Sequence, residues 1–406
     1  MMIEITAFLH AVSKATDYAE DEVLNIAPNH AKRVAVLTHR LAEGAGWDAE
    51  RVYALTETAV LHDCALSEYL TDELSASDGE RGELNMSAHC IRGEEIISRL
   101  PFYPLAKGAV LYHHDRADGQ GAMHACAKNT PMCGQLIHIA DRADKVFSLW
   151  KMNPEKYHAL MDWIRAESGS NFSPECVRLF TENVDYALLE SIVDERCNAT
   201  LKTLLPKKRI DIPLETLREM ATIFGDITDY KSHFTWRHSQ GVAEKAERMG
   251  EFYGYPKEIC EKLYIAGALH DIGKLLIPNS ILEKPDKLTD AEYEEITNHA
   301  LGTWDLLHRI EGMEDITRWA SLHHEKLDGS GYPFGLRSEQ LEKNERLMAC
   351  IDVYQALMED RPYKNALSHE RAMDILREMG QSGKLDQDII EDINAYYLQH
   401  MNGKGE

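Results

Sequence analysis

The spacing of apolar residues predicts helices along the chain. Between residues 242 and 253 apolar side chains recur every three or four positions, at Val242, Ala246, Met249 and Phe252, which is typical of an amphipathic helix. Thr289 with Glu292 three residues later predicts a capping box, and Pro174 after Ser173 suits a helix start. Because alternating β-branched residues are scarce over the length of a strand, the sequence predicts an all-α fold.

Seven polar positions of the second half recur in the first half. The second-half positions are His238, His270, Asp271, His299, His323, His324 and Asp352. Their first-half counterparts are His30, His62, Asp63, His89, His113, His114 and Asp141. The gaps between landmarks are 32, 29, 24 and 29 residues in the second half and 32, 27, 24 and 28 in the first.

This agreement is hard to obtain by chance, so we interpret the chain as two copies of one helical domain. Pro206 and Pro213 interrupt the helical pattern between the copies. We therefore predict domains at residues 1–204 and 205–406. A length of 406 residues suits two domains of about 200 residues each.

Composition narrows the possible partners and location. The net charge of −24 argues against a protein that binds long nucleic acids, because duplex binding needs a broad basic surface. No run of about 18 apolar residues occurs, so we expect no membrane-spanning helix. The eight cysteines form no CxxC pair and predict reduced thiols in a cytoplasmic protein. A homodimer is the default expectation for such a protein.

The second-half residues predict a centre of two divalent metal ions. A first ion would be held by His238, His270, Asp271 and Asp352, and a second by Asp271, His299, His323 and His324. This mixed ligand set suits Fe, Mn, Ni or Zn better than Mg or Ca. A single histidine is more often structural than a ligand, but the repeat of the whole set at matched spacing favours metal binding.

The predicted pair of ions suits phosphodiester hydrolysis, because two ions can activate water and stabilise charge on phosphate oxygens. Asp271 is the candidate bridging residue. Lys274 lies one turn after Asp271 in sequence, where it could neutralise the phosphate or protonate a leaving oxygen. Asp271 and Lys274 are therefore the predicted catalytic residues.

Several motifs in the second half closely resemble the HD-GYP family, a branch of the all-helical HD metal-dependent phosphohydrolases. The resemblance covers about residues 213–370. Its motifs are His270-Asp271-Ile272-Gly273-Lys274, Ile277-Pro278, Lys284-Pro285, His323-His324-Glu325, Asp328-Gly329-Ser330-Gly331-Tyr332-Pro333, Asp352-Val353-Tyr354-Gln355-Ala356-Leu357 and Asp360-Arg361-Pro362-Tyr363-Lys364.

The resemblance implies hydrolysis of a bacterial cyclic dinucleotide to a linear, 5'-phosphorylated product. It places the family's metal ligands on the seven second-half positions and its phosphate-binding lysine on Lys274. It also implies substrate contacts by Tyr332, Arg361 and Lys364. Two positions depart from the pattern: Phe234 replaces a glutamate that binds a third metal in some members, and Gln355 replaces a frequent aspartate.

The first half resembles a degenerate HD domain. It keeps the seven apparent ligands but has Ala65-Leu66 in place of Gly273-Lys274 and Ala122-Met123 in place of Tyr332-Pro333. Trp150 and Asn153 correspond to Arg361 and Lys364. We expect this copy to bind metal but to hydrolyse poorly, and to regulate, dimerise or complete the fold. The alternative is that its histidines hold no metal.

Several functions compete at this stage. A degenerate HD domain ahead of an HD-GYP domain resembles the group of enzymes that degrades 3',3'-cyclic GMP-AMP, so we favour that substrate over cyclic di-GMP. No residue that would distinguish adenine from guanine is identified. A plain HD nucleotide phosphohydrolase is a further alternative, which the GYP segment disfavours. A non-catalytic cyclic-dinucleotide sensor is another, which the complete ligand set and Lys274 disfavour in the second half.

Overall fold

The computed structural model describes residues 1–11, 13, 29–65, 86–193, 196–205, 208–231, 238–282, 284, 286–360 and 365–401. The regular secondary structure of these residues is helical apart from two short strands, which confirms the predicted all-α fold class. The chain forms two compact units, one of residues 5–208 and one of residues 1–4 with 209–406. Among the described residues, no helix has the length and apolar character needed to cross a membrane.

The N-terminal unit begins with helical residues 5–11. Its further helices are His30–Gly44, Ala49–Val60, Met86–Ile97, Tyr103–Ala106, Met132–Phe147, Pro154–Ala166, Pro174–Asn183, Tyr186–Ser191 and Arg196–Leu204, with a 3₁₀ turn at Leu149–Lys151. The side chain of Ser173 accepts a hydrogen bond from the Cys176 amide, and Pro174 occupies the first turn, as the sequence predicts. The helix that begins at His30 packs against the Ala49–Val60 and Met132–Phe147 helices.

The C-terminal unit repeats this helical plan. Its helices are Leu214–Lys231, His238–Phe252, Lys257–Leu269, Asn279–Leu282, Asp290–Leu307, Glu314–Ser321, Lys343–Met358, His369–Gln381 and Gln387–Met401, with 3₁₀ turns at Ile272–Leu276 and Ser338–Gln340. The predicted capping box of Thr289 and Glu292 is confirmed. Val242, Ala246 and Met249 are fully buried as the apolar spacing predicts, whereas Phe252 at the end of the helix is 37% exposed.

The two strands place the first residues of the chain in the C-terminal unit. Met2–Glu4 pairs antiparallel with Arg209–Asp211, with Ile3 opposite Ile210. Ile3 is fully buried, and the Glu4 amide donates to the Glu311 carbonyl at 3.3 Å. Burial of this strand explains why residues 1–4 belong to the second unit and not to the predicted domain 1–204. The units also differ from the predicted division in that residues 205 and 208 lie in the first unit and not in the predicted domain 205–406.

Candidate metal centres

The seven candidate ligands of the C-terminal unit come from the ends or interiors of five helices. His238 begins its helix, and His270 and Asp271 lie where Lys257–Leu269 gives way to a 3₁₀ turn. His299 and Asp352 lie within helices, and His323 and His324 come just after Leu322, the residue that caps Glu314–Ser321. All but the half-buried His324 are buried. The structure thus brings together all seven positions that the repeat singles out.

Asp271 lies between two groups of histidines. Its Oδ2 is 3.2 Å from His270 Nε2 and 3.9 Å from His238 Nε2. Its Oδ1 is 3.4 Å from His299 Nε2 and 3.9 Å from His323 Nε2. Because each oxygen faces a different group, the carboxylate has the arrangement needed to bridge two cations.

The carboxylate of Asp352 also lies close to both groups of histidines. Its Oδ1 is 3.1 Å from His238 Nε2 and 3.8 Å from His270 Nε2. Its Oδ2 is 3.7 Å from His324 Nδ1. Within the described part of this unit, three sets have ligand atoms close enough for one ion: His238 with His270 and Asp352, His299 with His323 and His324, and His270 with Asp271 and His323.

Backbone carbonyls orient the imidazoles of the C-terminal centre. Nδ1 of His270 donates to the Gly267 carbonyl at 2.7 Å, and Nδ1 of His323 donates to Ala320 at 2.6 Å. His299 makes the same contact with Ile296 at 2.6 Å. Since Nδ1 carries the proton, each Nε2 turns a lone pair towards the centre, as metal-binding histidines require.

Two buried atoms of this centre support the fit to a metal ion. Among the described residues, neither Nε2 of His270 nor Oδ1 of Asp271 has a hydrogen-bond partner. Unpartnered buried polar atoms are costly and rare in folded proteins. Imidazole nitrogens and carboxylate oxygens are also the donor set that divalent transition metals prefer. The residues present therefore fit a metal centre.

The pKa values of His324, His299 and Asp271 favour the forms that bind cations, whereas hydrogen bonds to Asp352 and Glu359 outweigh burial and raise the pKa of His238 to about 10. Burial lowers the pKa of His324 to about 3, and burial together with Lys274 and His270 lowers the pKa of His299 despite the opposing charge of Asp271. Burial opposes ionisation of Asp271, but His270 and Lys274 outweigh it and hold its pKa well below the usual range. Neutral imidazole and ionised carboxylate are the states that bind metals.

Glu359 is a residue of the centre that the sequence interpretation misses. Its Oε2 lies 3.0 Å from Nδ1 of His238, the nitrogen that faces away from the candidate metal position. Gln355, which replaces the family's usual aspartate, donates from its amide to the Glu359 carboxylate. Glu359 lies one helical turn after Gln355, so a search for a carboxylate one turn further along the chain would have found it.

The structure describes two of the four predicted substrate-binding residues, Lys274 and Tyr332. Nζ of Lys274 is 2.5 Å from Oδ2 of Asp271, so this lysine lies beside the centre. The half-buried ring of Tyr332 lies 4.7 Å from the His324 ring and 6.2 Å from the His299 ring, measured between centroids. Other positions used in the sequence interpretation lie outside the described residues: Leu66, Pro206, Phe234, Pro285, Arg361, Pro362, Tyr363 and Lys364.

The loop that carries Tyr332 is fixed by a buried carboxylate. Glu325 accepts hydrogen bonds from the amides of Phe334 and Leu336 at 2.7 and 2.8 Å, and the Tyr332 amide donates to the His324 carbonyl. A Cβ on Gly331 would lie 2.5 Å from the Glu325 Cα. Glycine is needed there because only its backbone fits so close to a neighbouring chain segment.

The N-terminal unit builds the same arrangement from its own residues. Oδ1 of Asp63 is 3.0 Å from His89 Nε2 and 3.3 Å from His113 Nε2. Oδ2 of Asp63 is 3.3 Å from His62 Nε2 and 4.0 Å from His30 Nε2. Its described residues give two candidate sets, which are Asp63, His89, His113 and His114, and His30, His62, Asp63 and Asp141.

The equivalent loop of the N-terminal unit is held by the same kind of hydrogen bonds, but it lacks the side chains of Tyr332 and Pro333. Asp115 takes the place of Glu325 and accepts from the amides of Met123 and Ala125 at 2.7 and 3.3 Å. The Ala122 amide donates to the His114 carbonyl, as Tyr332 does to His324. Alanine and methionine therefore lie where the C-terminal unit has Tyr332 and Pro333.

Comparison with known protein families matches both units. Residues 29–147 match one family model described as an HD domain, and residues 223–389 match a second model with the same description. The two matched segments contain the candidate ligands of the two units. They agree with the internal repeat found in the sequence.

Similar proteins are cyclic-dinucleotide phosphodiesterases. The chain is 31% identical over 380 residues to 3'3'-cGAMP-specific phosphodiesterase 1 of Vibrio cholerae, covering 89% of this chain and 86% of the relative. It is 35% identical over 159 residues to a cyclic di-GMP phosphodiesterase of Pseudomonas aeruginosa, covering 39% and 38% of the two chains. A crystal structure of a V. cholerae cyclic GMP-AMP specific phosphodiesterase shares the fold with a TM-score of 0.66 at 21% identity, covering 98% of each chain.

Proposed function

The chain belongs to the HD-GYP family of cyclic-dinucleotide phosphodiesterases, and we propose that its C-terminal domain hydrolyses 3',3'-cyclic GMP-AMP to the linear 5'-phosphorylated dinucleotide. The observation that carries the proposal is the position of Asp271, whose two oxygens face separate histidine groups beside Lys274. A phosphodiesterase that uses two ions needs this bridging geometry together with a positive side chain for the phosphate.

The proposed cofactor is a pair of divalent Fe, Mn, Ni or Zn ions. The first would be held by His238, His270, Asp271 and Asp352, and the second by Asp271, His299, His323 and His324. Bound there, the ions would activate water and offset the negative charge that develops on the phosphate. The ionised Asp271 and the neutral His299 and His324 are ready to bind such ions, whereas His238, whose pKa is raised to about 10, would release a proton when the first ion binds.

Lys274 is the proposed phosphate-binding and proton-donating residue. Its Nζ lies within contact of Asp271, so a phosphate held at the centre would meet a positive charge on this side. The ammonium can hold a phosphoryl oxygen or donate a proton to the leaving ribose oxygen. We propose that Asp271 and Lys274 together form the catalytic core, and that Tyr332, Arg361 and Lys364 hold the dinucleotide.

The preference for 3',3'-cyclic GMP-AMP rests on the two-domain architecture and on the relatives. The V. cholerae enzyme named for that substrate matches across both domains, whereas the P. aeruginosa cyclic di-GMP enzyme matches over 39% of the chain. Cyclic di-GMP is the second candidate, because this match reaches the higher identity of 35%.

Product analysis tests the substrate directly. Full-length protein reconstituted with Mn²⁺ or Fe²⁺ would be incubated separately with 3',3'-cyclic GMP-AMP, cyclic di-GMP and cyclic di-AMP, and the products separated by chromatography. We expect the mixed dinucleotide to be linearised fastest, with no product from the Asp271→Ala protein. Faster cleavage of cyclic di-GMP would move the assignment to that substrate.

The same assay separates the other classes of function. Binding of a cyclic dinucleotide without cleavage by the metal-loaded protein would identify a sensor. Cleavage of nucleoside phosphates in preference to cyclic dinucleotides would identify a plain HD phosphohydrolase. The homodimer stays a prediction, which light scattering of the purified chain would test.

A further inference from the structure

Lys145 lies inside the candidate metal centre of the N-terminal unit. Its Nζ is 2.7 Å from Oδ1 of Asp141 and 3.2 Å from Oδ2 of Asp63. These are the same two oxygens that face His30 and His62. One ammonium therefore contacts both carboxylates of the group that corresponds to the first ion of the C-terminal centre.

Helix geometry explains why the lysine reaches this position. Lys145 follows Asp141 by four residues in the Met132–Phe147 helix, so the two side chains lie on the same face. The equivalent residue of the C-terminal helix is Ala356, four residues after Asp352. A methyl group supplies no charge to Asp352.

Lys274 does not make the equivalent pair of contacts in the C-terminal centre. Among the described residues it pairs with Asp271 at 2.5 Å, and no ion pair joins it to Asp352. The histidine and carboxylate distances of the two units otherwise agree closely: Nε2 of His30 is 3.1 Å from Asp141, and Nε2 of His238 is 3.1 Å from Asp352. The bridging ammonium is therefore a real difference between two otherwise matching centres.

We infer that Lys145 replaces the first metal ion of the N-terminal domain, so that this domain holds at most one ion and has no two-ion centre. A divalent ion bound by His30, His62, Asp63 and Asp141 would share two ligand oxygens with the ammonium. Two cations at such short range repel each other strongly in a buried site. The lysine already supplies positive charge to both carboxylates, and its side chain is only 19% exposed.

The remaining ligands define what the domain can still bind. Oδ1 of Asp63 points away from the lysine towards His89 and His113, and His114 completes this second set. A single Mn²⁺ or Fe²⁺ fits there. Without the first ion, the N-terminal domain cannot use a two-ion mechanism of hydrolysis. This holds for any residue at its position equivalent to Lys274.

Electron paramagnetic resonance of Mn²⁺ tests the inference in the full-length chain. His270→Ala combined with Asp271→Ala removes the pair of ions from the C-terminal domain, so a coupled pair seen in this parent would belong to the N-terminal domain. We expect the Mn²⁺-loaded parent to show no exchange-coupled pair. Adding Lys145→Met should raise the bound Mn²⁺ by one ion per chain and produce a coupled pair.

Lys151→Met is the matched control, because it removes an exposed lysine near the same helix and should leave the metal count unchanged. A coupled Mn²⁺ pair with Lys145 intact would overturn the inference. An unchanged metal count in a folded Lys145→Met protein would also overturn it, and would leave the lysine as a phosphate-binding group. A coupled pair in the Lys145-containing parent overturns the inference even if the methionine variant does not fold, and no outcome depends on turnover.

Discussion

Glu359 accepts a hydrogen bond from Nδ1 of His238 at 3.0 Å, while Nε2 of the same ring lies 3.1 Å from Asp352. In the N-terminal unit, Asp144 makes the equivalent contact with His30 at 2.6 Å. Asp144 lies within its helix and aligns with Gln355, whereas Glu359 directly follows the equivalent helix, Lys343–Met358. Both units thus orient their first histidine with a carboxylate, but they place it differently.

Removal of the Glu359 carboxylate should weaken binding of the first ion. Without this acceptor, His238 loses the partner that fixes its ring and raises the basicity of Nε2. Loss of such a supporting contact typically costs about 10- to 100-fold in metal affinity or activity. We expect Glu359→Ala to lower Mn²⁺ affinity in that range, measured by titration of the metal-free protein.

Glu378→Gln provides the control, because Glu378 is exposed on a neighbouring helix and should leave the affinity unchanged. Unaltered Mn²⁺ affinity and catalytic rate in a folded Glu359→Ala protein would show that His238 does not depend on this carboxylate.

Lys274→Ala should lower kcat by about 100- to 1000-fold, the usual cost of losing one group that stabilises charge in the transition state. Lys274 is not among the candidate ligands, so we expect the metal content to stay the same. Elemental analysis and a turnover assay on the same sample would separate the two effects. Lys287→Ala is a matched control on an exposed lysine. Retention of the parent rate by Lys274→Ala would remove this residue from the mechanism.

Gly273→Ala should destabilise the C-terminal domain and displace its metal ligands. A Cβ at this position would lie 1.9 Å from the His299 carbonyl oxygen, in backbone that has little room to move. Overpacking of this kind costs about 1–3 kcal/mol or more. Chemical denaturation would measure the free energy of unfolding, and metal analysis would report the loss of ligands.

Gly383→Ala is the comparison for this substitution. Gly383 has a positive φ of 75°, and a Cβ added there would meet no atom within 4 Å. Alanine at this position should therefore cost about 1 kcal/mol of backbone strain and leave the metal content unchanged. Equal destabilisation and full metal content in both variants would contradict a packing role for Gly273.

Glu57 should make the N-terminal domain less stable as the pH rises. Burial raises the pKa of this carboxyl from 4.5 to about 7, despite the nearby charge of Lys208. The folded state therefore binds the proton more tightly than the unfolded state. The resulting stability is complete below about pH 4.5 and is lost as the pH rises through about 7, by about 3 kcal/mol in total.

Glu57→Gln removes this titration while keeping the shape of the side chain. We expect its Tm to exceed that of the parent by several degrees at about pH 8.5 and to match the parent near pH 5. Glu50→Gln, on an exposed position of the same helix, should show no such pH-dependent difference. The same Tm difference at both pH values would exclude Glu57 as the titrating group.

The sequence predicts the helical fold and the candidate ligands because both depend on regular spacing. Apolar periodicity locates the helix that contains Val242 and Met249, and the matched gaps between histidines identify the two centres. Met1–Glu4 is different: its place beside Arg209–Asp211 comes from pairing between segments about 200 residues apart, which local pattern does not reveal.

Glu359 and Lys145 show the limit of alignment by residue type. The sequence comparison identifies Gln355 as a departure but not the carboxylate one turn later that takes over its contact. The internal repeat aligns Lys145 with Ala356. The role inferred for this lysine depends on its distances to Asp63 and Asp141, which only the folded structure provides.

Paired substitutions of the two bridging aspartates test the central claim most directly. Full-length Asp271→Ala and Asp63→Ala proteins, both metal-loaded and both shown to be folded, would be assayed for linearisation of 3',3'-cyclic GMP-AMP. We expect Asp271→Ala to be inactive and Asp63→Ala to keep substantial hydrolysis, because the proposed two-ion centre and Lys274 belong to the C-terminal domain. Hydrolysis that survives Asp271→Ala but is lost in Asp63→Ala would contradict this account and assign the chemistry to the N-terminal domain.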